Sequence, residues 1–239
     1  MSDLEATLLD NGIAVRELSV LVERDNETLF LLVMNGTRPE WRRLRDLVPV
    51  TGYWPVLGWD LETLEAYDED VADLRFGSTA DIIEAGLQIS PDSWIANRVA
   101  HDPRLYTCPR GQWPEVVSVD EATHSLPESS ISVALVPTNL SWQVPAYLRY
   151  GGWNNCPHPE VHVSMMRYWN DRYGAEVARM AADRVEVVVS HPPVDRVEAE
   201  QLAWEHFVYC PDLVHQETTT LLGLASRLFN AKHWGFWWD

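Results

Sequence analysis

Six consecutive apolar residues, Leu29-Phe30-Leu31-Leu32-Val33-Met34, run into the turn pair Asn35-Gly36. An uninterrupted apolar run of this length, closed by a turn, is the pattern of a β-strand buried on both faces. It commits the fold to a sheet with cover on either side. Val20 and Val22 alternate with Leu21 and Glu23, and Asp25-Asn26-Glu27 offers a turn, so residues 1–36 are expected to open as a β-hairpin. Ile131–Val136 and Val185–Val189 are strands by composition. Val144–Tyr150 reads as a further strand, placed at an edge by Pro145. At the C-terminus, Trp234, Phe236 and Trp238 point to one face of a last strand, which ties the chain end into the fold.

Helical patterns lie between these strands. Thr37 and Glu40 form a capping box ahead of a short helix through Trp41, Leu44 and Leu47. Arg38, Arg42, Arg43 and Arg45 make that helix the one basic patch. With no glycine-rich phosphate loop beside it, the patch is expected to pair with the protein's own acids. Val48–Trp59 reads as a strand broken by turns, and residues 78–99 carry amphipathic helical spacing through Ile82, Ile83, Leu87, Trp94, Ile95 and Val99. Pro159 suits a first helical turn and Glu160 complements its positive end. Val161, Met165, Tyr168, Trp169 and Tyr173 recur at helical spacing until Gly174 stops the run. Asp195 with Glu198 caps a helix through Leu202, Ala203, His206 and Tyr209, and another helix carries Leu221 to Phe229. The expected fold is α+β (or α/β): a mixed sheet with helices packed on it, in two closely packed lobes. The lobes span 1–110 and 131–239, and an irregular Pro-, Gly- and Ser-bearing connection, 111–130, joins them.

The formal charge of −18 excludes several partners. Nucleic acid and anionic membrane surfaces both require Lys and Arg to neutralise phosphates. A basic protein partner fits instead. Seven acids fall in fourteen positions, Asp60, Glu62, Glu65, Asp68, Glu69, Asp70 and Asp73, with Leu61, Leu64, Val71 and Leu74 interleaved. This block is the candidate partner surface; it lacks the spacing of a calcium loop. Lys232 is the one lysine among the 18 basic residues, the skew of a GC-rich bacterial genome. The twelve tryptophans are expected chiefly in the core, where each indole N–H needs a partner. Cys108, Cys156 and Cys210 form no CxxC pair. Met1-Ser2-Asp3-Leu4-Glu5 lacks the basic and apolar parts of a secretory leader, so a reducing cytoplasm is expected.

Chemistry is concentrated in Tyr150-Gly151-Gly152-Trp153-Asn154-Asn155-Cys156-Pro157-His158-Pro159-Glu160-Val161-His162. Cys156, His158 and His162 could supply three tetrahedral zinc ligands, with the two histidines one helical turn apart. Cys156 could instead be a nucleophile, its thiol acidified at a helix N-terminus, with His191, His206 or His215 approaching as base from elsewhere; within the stretch, Glu160 and His162 are the further catalytic candidates. A structural joint accounts for the same residues: glycines for a tight turn, Trp153 as a core plug and amides bonding the backbone. That reading is preferred, and no cofactor is expected on it. The motifs of serine hydrolases, P-loop NTPases and dinucleotide-binding domains do not occur.

The blocks AYLRYGGWNNCPHPEVHVSMMRYWNDRYGAEV, VEVVVSHPP, EAEQLAWEHFVYCPDLV and WGFWWD, in that order, resemble a bacterial family designated domain of unknown function 4253. The resemblance covers roughly residues 130–239, and TGYWPVLGW is similar to a motif upstream of that domain. It implies a compact α/β or α+β domain of the bacterial cytoplasm and brings no activity. The functional expectation from the residues is a non-enzymatic protein-binding module, such as an immunity-type inhibitor of a basic toxin. The alternative is a metal-assisted hydrolase using Cys156, His158 and His162.

Overall fold

A computed structural model describes residues 3–34, 38–59, 63, 76–114 and 131–238. The chain begins with a helix, α1 (Asp3–Asp10), where the sequence promised only the approach to a hairpin. Its one deeply buried side chain, Leu8, gives too narrow an apolar stripe to announce it. The hairpin follows as expected: β1 (Glu17–Arg24) and β2 (Glu27–Met34) pair antiparallel. Asp25 and Asn26 both take positive φ, 55° and 63°, as the twist of a two-residue hairpin turn requires. Then come α2 (Arg38–Asp46), α3 (Val48–Thr51), β3 (Trp54–Leu57), α4 (Thr79–Gln88) and α5 (Pro91–His101). The remaining elements are β4 (Ile131–Val136), α6 (Val144–Leu148), α7 (Pro159–Tyr173), β5 (Ala175–Ala181), β6 (Arg184–Val189), α8 (Arg196–Tyr209), a π-helical turn (Leu213–Thr218), α9 (Leu221–Leu228) and β7 (His233–Trp237).

The seven strands form one mixed sheet in the order β1-β2-β4-β3-β5-β6-β7. Every neighbouring pair is antiparallel except β3 and β5. The strand that opens the second sequence lobe, β4, lies between two strands of the first. It pairs with β2 through Leu32↔Val133 and with β3 through Val56↔Ala134. The two stretches are therefore joined through the backbone ladder of the sheet's centre.

The seam between them is β3. Its Pro55 has no N–H to give to a ladder, and its pairing with β5 narrows to Leu57↔Arg179. Two tryptophans add hydrogen bonds at this seam. The Trp54 indole donates to the Val177 carbonyl on β5 at 2.8 Å, and the Trp41 indole donates to the Pro55 carbonyl at 3.0 Å. Part of the tryptophan surplus thus supplies N–H donors to backbone carbonyls along this seam.

Two sequence expectations are corrected here, and one element was not anticipated. Val144–Tyr150 is not an edge strand; it is α6 followed by a left-handed turn at Arg149 (φ 47°). Pro145 sits in the first helical turn, where a missing N–H costs nothing. All five residues of α6 are buried, which erased the amphipathic signal. A strand the sequence did not announce is β5: its short run mixes alanines with Glu176 and Arg179, which blurs the alternation. The other correction is that residues 78–99 form two helices, divided where Ser90 caps α5 ahead of Pro91. The capping box read at Thr37 and Glu40 involves Thr37, which lies outside the described residues; a complete box does close at Ser78 and Asp81. The acidic residues Asp60, Glu62, Glu65, Asp68, Glu69, Asp70 and Asp73 lie outside the described residues, as does most of 111–130.

The basic patch does pair internally: Arg43 meets Glu40 at 3.2 Å, and Arg45 grips Glu176 on β5. Helix α7 is buried over most of its first half and crosses α4 at Gly86, where a Cβ would lie 2.6 Å from Val163 Cγ1. Among the described residues, no helix is long and apolar enough to cross a membrane.

Candidate functional site

The stretch between α6 and α7 folds on itself before the helix starts. Gly151 and Gly152 take φ of 112° and 81°. The Gly152 N–H donates to Pro157 O at 2.9 Å, and the Cys156 N–H donates to Trp153 O at 2.8 Å. This compact loop sets Cys156 beneath the first turn of α7, where His162 points inward and is fully buried. His162 Nε2 lies 3.4 Å from Cys156 Sγ, and Nδ1 meets the hydroxyl of Tyr209 from the end of α8. The rings of Tyr150, Tyr209 and Trp238 stand edge-on around the imidazole, with centroids 5.4–5.5 Å away.

Burial sets the electrostatics. Desolvation holds the His162 imidazole neutral, its pKa lowered to about 3, against a weaker opposing pull from the Pro157 carbonyl. The same cause pushes the Cys156 thiol far above its ordinary value. Removal from water outweighs the opposing pulls of the Gly152 backbone and of Arg98. Cys108, Cys156 and Cys210 are all free thiols.

Cys156 and His162 converge, while His158 and Glu160 do not join them. His158 is exposed, 3.9 Å from Glu160 and edge-on to Phe76. The reason is local. His158 is the N-cap of α7, with extended backbone (φ −71°, ψ 157°). A four-residue offset aligns two side chains only when both are helical. Among the described residues, no group of three His, Cys, Asp or Glu side chains could hold a metal ion.

The polar chain sits on a wider aromatic core. Trp169 stacks on Phe236 with centroids 5.4 Å apart and rings 4° from parallel, and Tyr209 meets both edge-on. His206 is packed among Trp169, Trp234 and Phe236 at 4.7–4.8 Å, and neither of its ring nitrogens has a hydrogen-bond partner among the described residues. Burial lowers its pKa to about 3 as well. Tyr209 was read in the sequence as one residue on a helix face; nothing local in the chain signals that its hydroxyl serves a histidine 47 positions away.

These two neutral histidines make stability depend on pH with a definite sign. In the unfolded chain each imidazole takes a proton near its ordinary pKa of about 6.5. In the fold each stays neutral down to about 3. Between those values the unfolded state binds more protons, so stability falls as pH falls, by about 1.4 kcal/mol per pH unit for each histidine. Urea unfolding measured from about pH 6.5 to 4.5, above the ordinary carboxylate range, reads this slope. His206→Leu is expected to halve it at no loss of stability at neutral pH, because leucine leaves no buried polar atom unsatisfied. An unchanged slope would mean that His206 is protonated within the fold.

Comparison with known proteins places a domain on this part of the chain: residues 132–239 match the family described as Domain of unknown function (DUF4253). The matched stretch runs from β4 to the C-terminus and contains Cys156, His162, His206 and Tyr209. No curated protein and no solved structure matches the chain.

Proposed function

We propose that this protein is a non-enzymatic protein-binding module of the bacterial cytoplasm, taking a basic protein partner in the manner of an immunity-type inhibitor of a basic toxin. The observation that carries the reading is where the positive charge goes. The chain has 36 acids against 18 Lys and Arg. Arginine after arginine is already committed to an internal carboxylate: Arg43 to Glu40, Arg45 to Glu176, Arg110 to Glu200, Arg172 to Glu205, Arg179 to Glu186 and Arg227 to Glu217. The surplus acids give the net charge of −18, and Asp60 to Asp73 carries seven of them in fourteen positions of the sequence. A field of that sign speeds encounter with a basic surface and repels nucleic acid. The Cys156–His162 pair supports the same reading from the other side, since both groups are buried and neutral.

Charge reversal tests the proposal. The full chain is co-purified with the product of the adjacent gene, and association is timed at low and physiological salt. Replacing Asp60, Glu65, Asp68 and Asp73 with lysine is expected to slow association by about tenfold or more and to flatten its salt dependence. Failure of the two proteins to associate, or a rate indifferent to the reversal, contradicts the proposal.

A further inference from the structure

Arg98, in the last turn of α5, departs from the pattern of internal pairing. The comparably half-buried Arg45, Arg179 and Arg227 each face a glutamate. Arg98 has no carboxylate within ion-pair distance among the described residues. Its one hydrogen bond runs from Nη2 to the Asn155 carbonyl at 3.2 Å. Its guanidinium lies over Trp94, 5.3 Å from the ring centroid, and its Nε is buried without a partner. Burial pulls its pKa down; Asp102 opposes that fall from beyond contact distance and the neighbouring Arg104 adds to it.

The nearest acid is taken. Both Asp102 oxygens are held by Arg104, from Nε at 2.9 Å and Nη2 at 2.6 Å. Arg104 also donates to Asn155 Oδ1 at 3.0 Å, so both arginines converge on one turn. Asp212 acts on Arg104 only at a distance. Two guanidinium groups thus meet one contacting carboxylate, on a chain whose net charge is −18. Asn154 stands exposed at the tip of the turn, in the left-handed region at φ 44°. The Arg98 guanidinium lies over Trp94, and a planar guanidinium fork is what recognises a carboxylate or phosphate with two hydrogen bonds.

We propose that Arg98, Arg104 and the Asn154-Asn155 turn form a recognition site for a small oxyanion, the carboxylate or phosphate group of a ligand, with Trp94 as one wall. The site goes beyond the protein-binding reading and does not rest on it. It lies beside the Cys156 loop, yet the ligand touches neither Cys156 nor His162, so recognition here requires no chemistry from them.

The test uses the isotopically labelled full chain. Inorganic phosphate and acetate are titrated separately, with ionic strength held by chloride, and the Arg98 and Arg104 Nε–H and the Asn154 and Asn155 amide signals are followed. Saturable shifts confined to these groups are expected from one of the two anions. The anion that saturates at lower concentration identifies the group recognised. Arg104→Gln, at an exposed position, is expected to leave the thermal unfolding midpoint in place and weaken binding by about tenfold. Arg98→Lys, which keeps the charge and loses the fork, should weaken it similarly. Shifts from neither anion at these groups, shifts that grow linearly without saturating, or binding unaffected by Arg104→Gln would overturn the proposal.

Discussion

Expressed alone, residues 131–239 are expected to show no cooperative thermal or urea transition and a poorly dispersed amide spectrum, although they contain the whole matched domain. The reason is the strand order. In the full chain β4 is bonded to β2 on one side and β3 on the other, and both are lost. Val133, Ala134, Leu135 and Val136, all at most 2% exposed, would face water along with the ladder groups that β2 and β3 satisfied. Each large side chain so uncovered costs about 1.5–3 kcal/mol. The Val177 carbonyl loses the Trp54 indole, and Glu176 loses Arg45. Set against a total stability of about 5–15 kcal/mol, these losses exhaust it. A two-state transition with a dispersed spectrum from the isolated stretch would show that the sheet's centre is dispensable.

Gly151→Ala is the point substitution with the largest expected effect. At φ 112°, Gly151 occupies a region that L-residues avoid, and an added Cβ would fall 2.0 Å from the Pro157 carbonyl oxygen and 2.8 Å from His162 Nε2. Neither can retreat. Pro157 O accepts from Gly152, and His162 is wedged among Tyr150, Tyr209 and Trp238. Backbone strain and overpacking together should cost about 3–5 kcal/mol, which lowers the melting temperature of a chain this size by about 10 °C. Gly52→Ala is the control. Gly52 has φ of 73°, but a Cβ there meets nothing within 4 Å. It should therefore cost only the left-handed backbone penalty, about 1–2 kcal/mol. Equal effects at the two positions would mean that the Gly151 loop yields.

What the sequence revealed and hid follows from which residues carry periodic signals. The hairpin, α7 with its Pro159 and Gly174 boundaries, α8 with its Asp195 cap, and the inward set Trp234, Phe236 and Trp238 were all legible. Each has a local signature in turn residues, caps or alternation. α6 was misread because an entirely buried helix has no polar face, and β5 went unread because alanine and charged residues blur its alternation. The strand order was not legible, since nothing local in Ile131–Val136 indicates that it enters between β2 and β3. At the candidate site, spacing left open whether Cys156, His158 and His162 converge, and the outward turn of His158 was not legible. It depends on the N-cap backbone, one residue outside the helical region. Arg98 carried no sequence signal; its distinction is the carboxylate it lacks in space.

The account turns on the Cys156–His162–Tyr209 chain being a closed structural joint, with the chain's binding done elsewhere. The most direct measurement is a pH titration of the His162 ring by NMR in the full-length protein. The ring signals are expected to hold their neutral positions from pH 8 down to the onset of acid unfolding, in keeping with a pKa of about 3. A titration within the folded state near the ordinary histidine value of about 6.5 would contradict this, placing His162 in contact with solvent and returning it, with Cys156, to the candidates for catalysis.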